Sequence, residues 1–215
     1  MVSNFREWTL DKIEDIFQLY EVNTLPILEK IVSFEFTLSD YQKTYLSALS
    51  KNYKLFGGDD WNEVELENKF ISPLIVFSEI DNKQFAYFLE RELQATIGEY
   101  ELSGKVDGMI ATGYRKPKMP YFCLNEYKRQ TDPNGDPRGQ VLIAMLVAKQ
   151  LNANKKPVFG CYIIGSRGAT LRWYFVALQE NQYAISNVFT ATDEEIFDIF
   201  RILKGLKSEI DFMLQ

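Results

Sequence analysis

Tyr121-Phe122-Cys123-Leu124-Asn125-Glu126-Tyr127-Lys128 reads as a β-strand that ends in charge. Successive side chains on a strand alternate between faces, so Phe122, Leu124, Glu126 and Lys128 are expected on one face, which turns from core to ion pair as it runs. A carboxylate and an ammonium at the edge of a core are costly unless paired, hydrated or bound to a metal. A metal-dependent site supplies a reason for the placement.

Working outward, Gly104-Lys105-Val106-Asp107-Gly108-Met109-Ile110 predicts the preceding strand, with Asp107 brought beside Glu126 and with Gly104 and Gly108 leaving room for close backbone approach. Two carboxylates on one point repel each other unless a cation lies between them, and a magnesium or manganese ion with several waters fits that description. Lys128 then stands beside the metal. There its charge stabilises a phosphorane-like transition state or helps deprotonate the attacking water, while the metal polarises the phosphate. The acid-x-Lys spacing is weak by itself, because ordinary charged content yields roughly one such triplet at this length. Glu67-Asn68-Lys69, on a predicted helix, and Asp81-Asn82-Lys83, in a predicted loop, share it. The plain alternative is a surface salt-bridge cluster, and spacing does not choose between the two.

The flanking periodicities place these strands in an α/β chain. Thr9 opens a helical run with Ile13, Ile16, Phe17 and Tyr20, and Ser39-x-x-Gln42 resembles a capping box before a second run, so the first sixty residues read as helical. Gly57-Gly58-Asp59-Asp60 breaks the pattern. Asp60 is the expected cap of a third helix with Glu63 three residues on, a stripe of Leu66, Phe70, Ile71 and Leu74, and a kink or early stop at Pro73. From about Phe85 the period changes. Leu93 to Glu99, Leu102 to Thr112 and Met119 to Lys128 predict three strands in an antiparallel meander.

After a turn at Asn134-Gly135, Asp136 and Pro137 open a helix whose buried face is Val141, Ala144, Met145, Ala148 and Leu151. Val158 to Ile164, apolar on both faces, predicts a central strand; Thr170 to Leu178 and Tyr183 to Phe189 follow, and Thr192-x-x-Glu195 caps a last helix carrying Ile196, Phe200, Leu203, Leu206 and Ile210. The order predicts an α/β/α sandwich, with a helical extension over 1–58 packed on a core over 59–215.

Composition removes many chemistries. The 215-residue chain has no histidine, which excludes a Ser-His-Asp triad, a Cys-His pair and an HExxH zinc site, so a metal site must be built from oxygens. Cys123 and Cys161 lie in apolar runs without CxxC spacing and read as buried thiols. No apolar run approaches the roughly 18 residues needed to span a bilayer, and Met1 to Arg6 does not open a signal peptide, so a soluble cytoplasmic protein is expected. The net charge of −6 predicts weak, salt-sensitive binding to naked duplex.

Gly104-x-x-Asp107, Glu126-Tyr127-Lys128 and Gln140 on the next helix resemble the PD-(D/E)XK nuclease superfamily, the restriction endonuclease-like fold with a mixed central sheet. Glu63, followed by Phe70-Ile71-x-Pro73-Leu74-Ile75, is similar to the acidic helix that precedes the core in relatives of type I restriction enzyme R subunits. The matched region runs from about Trp61 to Ile164, and the whole chain resembles an uncharacterised bacterial group of this superfamily. The resemblance implies a magnesium- or manganese-dependent nuclease acting on DNA more than RNA, in restriction, defence or repair. It implies Asp107, Glu126 and the Tyr127 carbonyl as metal ligands, Lys128 as catalytic lysine, Glu63 as holder of a second metal or of a water, and Gln140 facing the site. Glu67, one turn after Glu63 on the same helix face, is a reserve candidate, the expectation for it being a solvated helix acid.

Candidate substrate contacts are Arg138, Arg129 and, in the basic loop Arg115-Lys116-Pro117-Lys118, Lys116 and Lys118; Lys155-Lys156 makes a second basic loop, and Tyr114 and Tyr127 are candidates for stacking on bases. The rival reading is a catalytically silent module of the same fold acting with a partner protein. A homodimer through the N-terminal helices is a further expectation.

Overall fold

The structure, a computed structural model, describes residues 2–129, 136–166 and 170–215, and only the main chain of Val2, Arg129 and Ser166. The three predicted strands pair as expected, although the first begins at Phe85 and not at Leu93. Strands β3 (Phe85–Ile97), β4 (Tyr100–Thr112) and β5 (Lys118–Arg129) form the antiparallel meander. From β5 the chain passes through α6 (Pro137–Asn152) to β6 (Val158–Ser166), which lies parallel to β5. Strands β7 (Thr170–Gln179) and β8 (Gln182–Ile185) follow in antiparallel order, and β9 (Phe189–Thr190) pairs with β7. The stretch expected as one strand to Phe189 is therefore two, interrupted where Ser186 Oγ accepts the Phe175 N–H at 3.0 Å in place of a ladder carbonyl.

The first sixty residues depart from an all-helical reading. β1 (Val2–Asn4) pairs parallel with β4, and β2 (Tyr20–Glu21) pairs parallel with β8. Short strands of this kind satisfy the N–H and C=O groups that a sheet otherwise leaves open at its margins. Helix α1 (Leu10–Phe17) ends because Gln18 adopts a left-handed φ of 52°, which takes Tyr20 off the helical stripe. Helices α2 (Pro26–Val32) and α3 (Asp40–Leu55) follow, the latter with the expected Ser39–Gln42 capping box.

The sheet carries a core on each face. On one, α6 packs Val141, Ala144, Met145 and Ala148 with Leu124 and Tyr162; on the other, Phe70, Leu74 and the helix α7 (Ile196–Met213) residues Phe200, Leu203, Leu206 and Ile210 pack with Tyr127, Cys161 and Ile163. Burying each of the larger aliphatic and phenylalanine side chains contributes roughly 1.5–3 kcal/mol. The result is a mixed sheet between two helical layers, with β6 buried on both faces as its apolar run requires. Cys123 and Cys161 are buried free thiols. Among the described residues no helix is long and apolar enough to cross a membrane.

Two predicted caps are replaced. Asp60 sits in a preceding turn, and Asn62 caps α4 (Glu63–Leu66) in a reciprocal box with Glu65. On α7, Glu195 accepts the Thr190 N–H at 2.7 Å and no side chain caps the helix. Pro73 does not end the third helix. A π turn over Glu67–Ile71 precedes α5 (Ser72–Phe77), and this wider turn takes up the irregularity that proline imposes by lacking an N–H and crowding the preceding carbonyl.

Candidate functional site

A bulge and a fork shape the candidate site. Ile110 pairs with Cys123 while Ala111 pairs with Tyr121, so Phe122 is the extra residue of a bulge. It joins the core of the Cys123 face, whereas Leu124 joins the other. The expectation of one continuous face from Phe122 to Lys128 is corrected by that bulge. The β4–β5 ladder then runs to the Gly108–Asn125 pair and stops, while β5 remains paired with β6 as far as Arg129 and Gly165. Farther along the same edge of β4, residues 101–103 pair with β1. Between these partners β4 opens a gap at the carboxyl ends of parallel β5 and β6, the end at which open α/β sheets bind ligands.

Asp107 lies in the gap. Its Oδ2 accepts the main-chain N–H of Tyr127 at 2.6 Å, supplying the acceptor that the ended ladder no longer provides. N–H and C=O of one strand residue point to the same side, so the Tyr127 carbonyl also opens toward the gap. Lys128 Nζ lies 3.1 Å from Glu126 Oε1 and 3.6 Å from Glu63 Oε1. Glu126 and Lys128 are each 6% exposed, whereas Glu63, at the start of α4, stands at the rim. Four of the sequence candidates, from β4, β5 and α4, thus meet at one place.

The electrostatics follow from that burial. Desolvation pushes the Glu126 carboxyl up to about 8, the charge of Asp107 adds to it, and Lys128 opposes it. Burial likewise raises Asp107, against the Tyr127 N–H and Lys128. Desolvation lowers Lys128, but Glu126 and Glu63 outweigh it, and the ammonium is held in its charged form. A lysine so held is suited to stabilising negative charge and poorly suited to taking a proton from water.

Glu67 corrects an expectation. It is a buried acid, 7% exposed, with Oε1 lacking a hydrogen-bond partner. Burial raises its carboxyl, Asp107 raises it further, and Lys105 opposes them. It follows Leu66 and precedes Phe70 on the inner side of the helix, and that border position beside the apolar stripe was the available signal. Asp81, from the third acid-x-Lys triplet, instead closes a turn by accepting the Tyr87 N–H at 2.7 Å.

Among the other candidates, the two basic loops do not gather here. Gln140 is buried on α6 with Nε2 unpartnered, and Arg138, half exposed, pairs with Asp136 at 3.3 Å. Lys116 and Lys118 lie with Tyr114 at the opposite end of β5, roughly 30 Å from Lys128 at about 3.3 Å per residue. Lys155 and Lys156 precede β6, at that same far end. The Tyr127 ring is core, 1% exposed, so it cannot stack on a base. The Arg129 side chain and the Asn134-Gly135 turn lie outside the described residues. Two residues gave no sequence signal: Arg6, whose charge reaches Asp107 because β1 lies beside β4, and Tyr87, whose hydroxyl meets that of Tyr127. The room at Gly104 and Gly108 is taken by the side chains of Phe5 and Tyr87 and not by backbone.

Among the described residues no group of three or more acids or thiols closes into a ready-made metal cage. The gap offers the buried Glu126 carboxylate, the partly buried Asp107 carboxylate and a main-chain carbonyl, with an unpartnered Glu67 oxygen nearby. That oxygen-only set fits a divalent ion that keeps several waters, as magnesium does.

No protein-family model and no curated protein matches the sequence. A solved structure, the crystal structure of SSO0001, aligns with 98% of this chain and 84% of that chain at 13% identity and a TM-score of 0.26, a likeness too slight to carry an argument.

Proposed function

We propose that the gap between β4 and β5 is the active site of a metal-dependent nuclease of the PD-(D/E)XK type, hydrolysing phosphodiester bonds of nucleic acid, DNA in preference to RNA. The observation that carries this reading is the meeting of Asp107 from β4 with Glu126 and Lys128 from β5 where their strands part. Asp107, Glu126 and the Tyr127 carbonyl would hold magnesium or manganese, the unpartnered Glu67 oxygen would accept from a water of that ion, and Glu63 at the rim would orient a further water or a second ion. The bound ion supplies Lewis acidity at the phosphate and a water of lowered pKa. Lys128, held charged, stabilises the negative charge that grows on the phosphate oxygens. Arg138 is the contact offered to a flanking phosphate. The preference for DNA rests on the likeness of the Glu63 helix to that of R subunits.

A silent module of the same fold, acting with a partner protein, draws on one observation: Lys128 already pairs with Glu126 and satisfies that charge without metal. Cleavage of a panel of single- and double-stranded DNA and RNA, with magnesium or manganese, separates the two. The nuclease reading expects metal-dependent cleavage by wild type that Asp107→Ala abolishes; a folded wild type that cuts nothing under any of these conditions favours the module.

A further inference from the structure

Asp107 is followed by glycine, and the structure shows what the missing Cβ admits. Tyr87 stands on β3 and Tyr127 on β5, two strands apart and thus separated by roughly 10 Å. Their hydroxyls nonetheless hydrogen-bond to each other. The Tyr87 side chain reaches across β4 over Gly108, where a Cβ would lie 2.5 Å from the Tyr87 hydroxyl oxygen. Any other residue at 108 closes this passage.

The contact falls at the least supported part of β5. Its ladder with β4 has ended at Asn125, and beyond that point β6 is its remaining strand partner. Tyr127 is held there by three polar contacts: its N–H to Asp107 Oδ2 at 2.6 Å, its hydroxyl to Tyr87, and Asn125 Nδ2, which donates to that hydroxyl at 3.5 Å. Asn125 Oδ1 in turn accepts from Cys123 Sγ at 3.4 Å, which continues the chain along one face of β5.

We infer that Tyr87 is a positioning residue for the site. Its strut over Gly108 fixes the Tyr127 segment, and so sets the Tyr127 carbonyl and Glu126 against Asp107 at the spacing a divalent cation needs. This rests on the nuclease reading above. Tyr87 touches neither substrate nor metal and acts through Tyr127.

The test is manganese binding, followed by electron paramagnetic resonance, for wild type, Asp107→Ala and Tyr87→Phe, together with the exchange rate of the Tyr127 amide hydrogen and the melting temperature. Tyr87→Phe keeps the ring and removes only the strut's bond. It is expected to weaken manganese roughly tenfold, as loss of a residue supporting metal ligands does. It should also speed Tyr127 exchange and leave melting within a few degrees. Gly108→Ala, which displaces the tyrosine from the opposite side, should weaken manganese similarly. If Tyr87→Phe binds manganese as wild type does while Asp107→Ala does not bind, the strut is overturned and the metal site stands. If wild type and Asp107→Ala behave alike, the nuclease reading fails and the inference falls with it.

Discussion

The main-chain N–H of Tyr127 donates to Asp107 Oδ2 at 2.6 Å, at the point where the two strands that carry these residues stop pairing with each other. One carboxylate therefore has two tasks, closing a backbone hydrogen bond and presenting charge to the gap. The two tasks separate by substitution. Asp107→Asn keeps an oxygen acceptor and should melt near wild type while losing cleavage by about 100-fold or more. Asp107→Ala strands a buried N–H as well, and should lose a further ~1–3 kcal/mol in urea unfolding. Equal stability of the two variants would contradict this division.

Lys128 and Glu126 form a buried pair, and removing one partner leaves the other charge uncompensated. Lys128→Ala is expected to cost about 3 kcal/mol in the metal-free protein above about pH 8, where Glu126 is ionised, and less at lower pH, where the carboxyl holds a proton, or with manganese present. It should bind manganese and not cleave. Retained cleavage would show that charge stabilisation comes from elsewhere.

The Glu126 carboxyl, pushed up to about 8 from an ordinary 4.5, makes stability depend on pH. Between these values the folded protein holds a proton that the unfolded chain has released, so stability falls as pH rises from about 4.5 to about 8, with a slope of up to ~1.4 kcal/mol per pH unit. Metal binding requires the ionised carboxylate, so manganese affinity should rise over the same window. Melting curves from pH 5 to 8.5 for wild type and Glu126→Gln check both; a slope that survives the substitution assigns the proton to another group.

Glu67 and Glu63 stand one helical turn apart in unlike surroundings, the first buried with an unpartnered oxygen and the second at the rim. A buried, repelled acid costs stability unless it has a use. Glu67→Gln should therefore stabilise the metal-free protein by about 1 kcal/mol and lower cleavage more than tenfold, with Glu63→Gln costing only a few-fold in rate. The reverse ranking in a side-by-side assay would make Glu63 the working acid.

What was legible in the sequence is what period and caps encode locally. β5 declares itself by alternation, β6 by being apolar on both faces, and α6 by Pro137 and its stripe. The meeting of Asp107, Glu126 and Lys128 followed from neighbouring strands. The bulge at Phe122 was not legible, because a bulge belongs to a pair of strands and leaves no mark on one. β1 and β2, three and two residues long, are too short to show a period and owe their form to the sheet margins they cover. The separation of the basic loop from the site was legible: Lys116 and Lys118 come before or at the start of the strand that Lys128 nearly ends, and so lie at the far end of the sheet from it.

The most direct test of the metal site is calorimetric titration of metal-free protein with manganese at pH 8, wild type against Asp107→Ala. Wild type is expected to bind saturably, and the variant, still folded, is expected not to bind. Saturable binding of equal strength in both, or none in wild type, would contradict the proposed site.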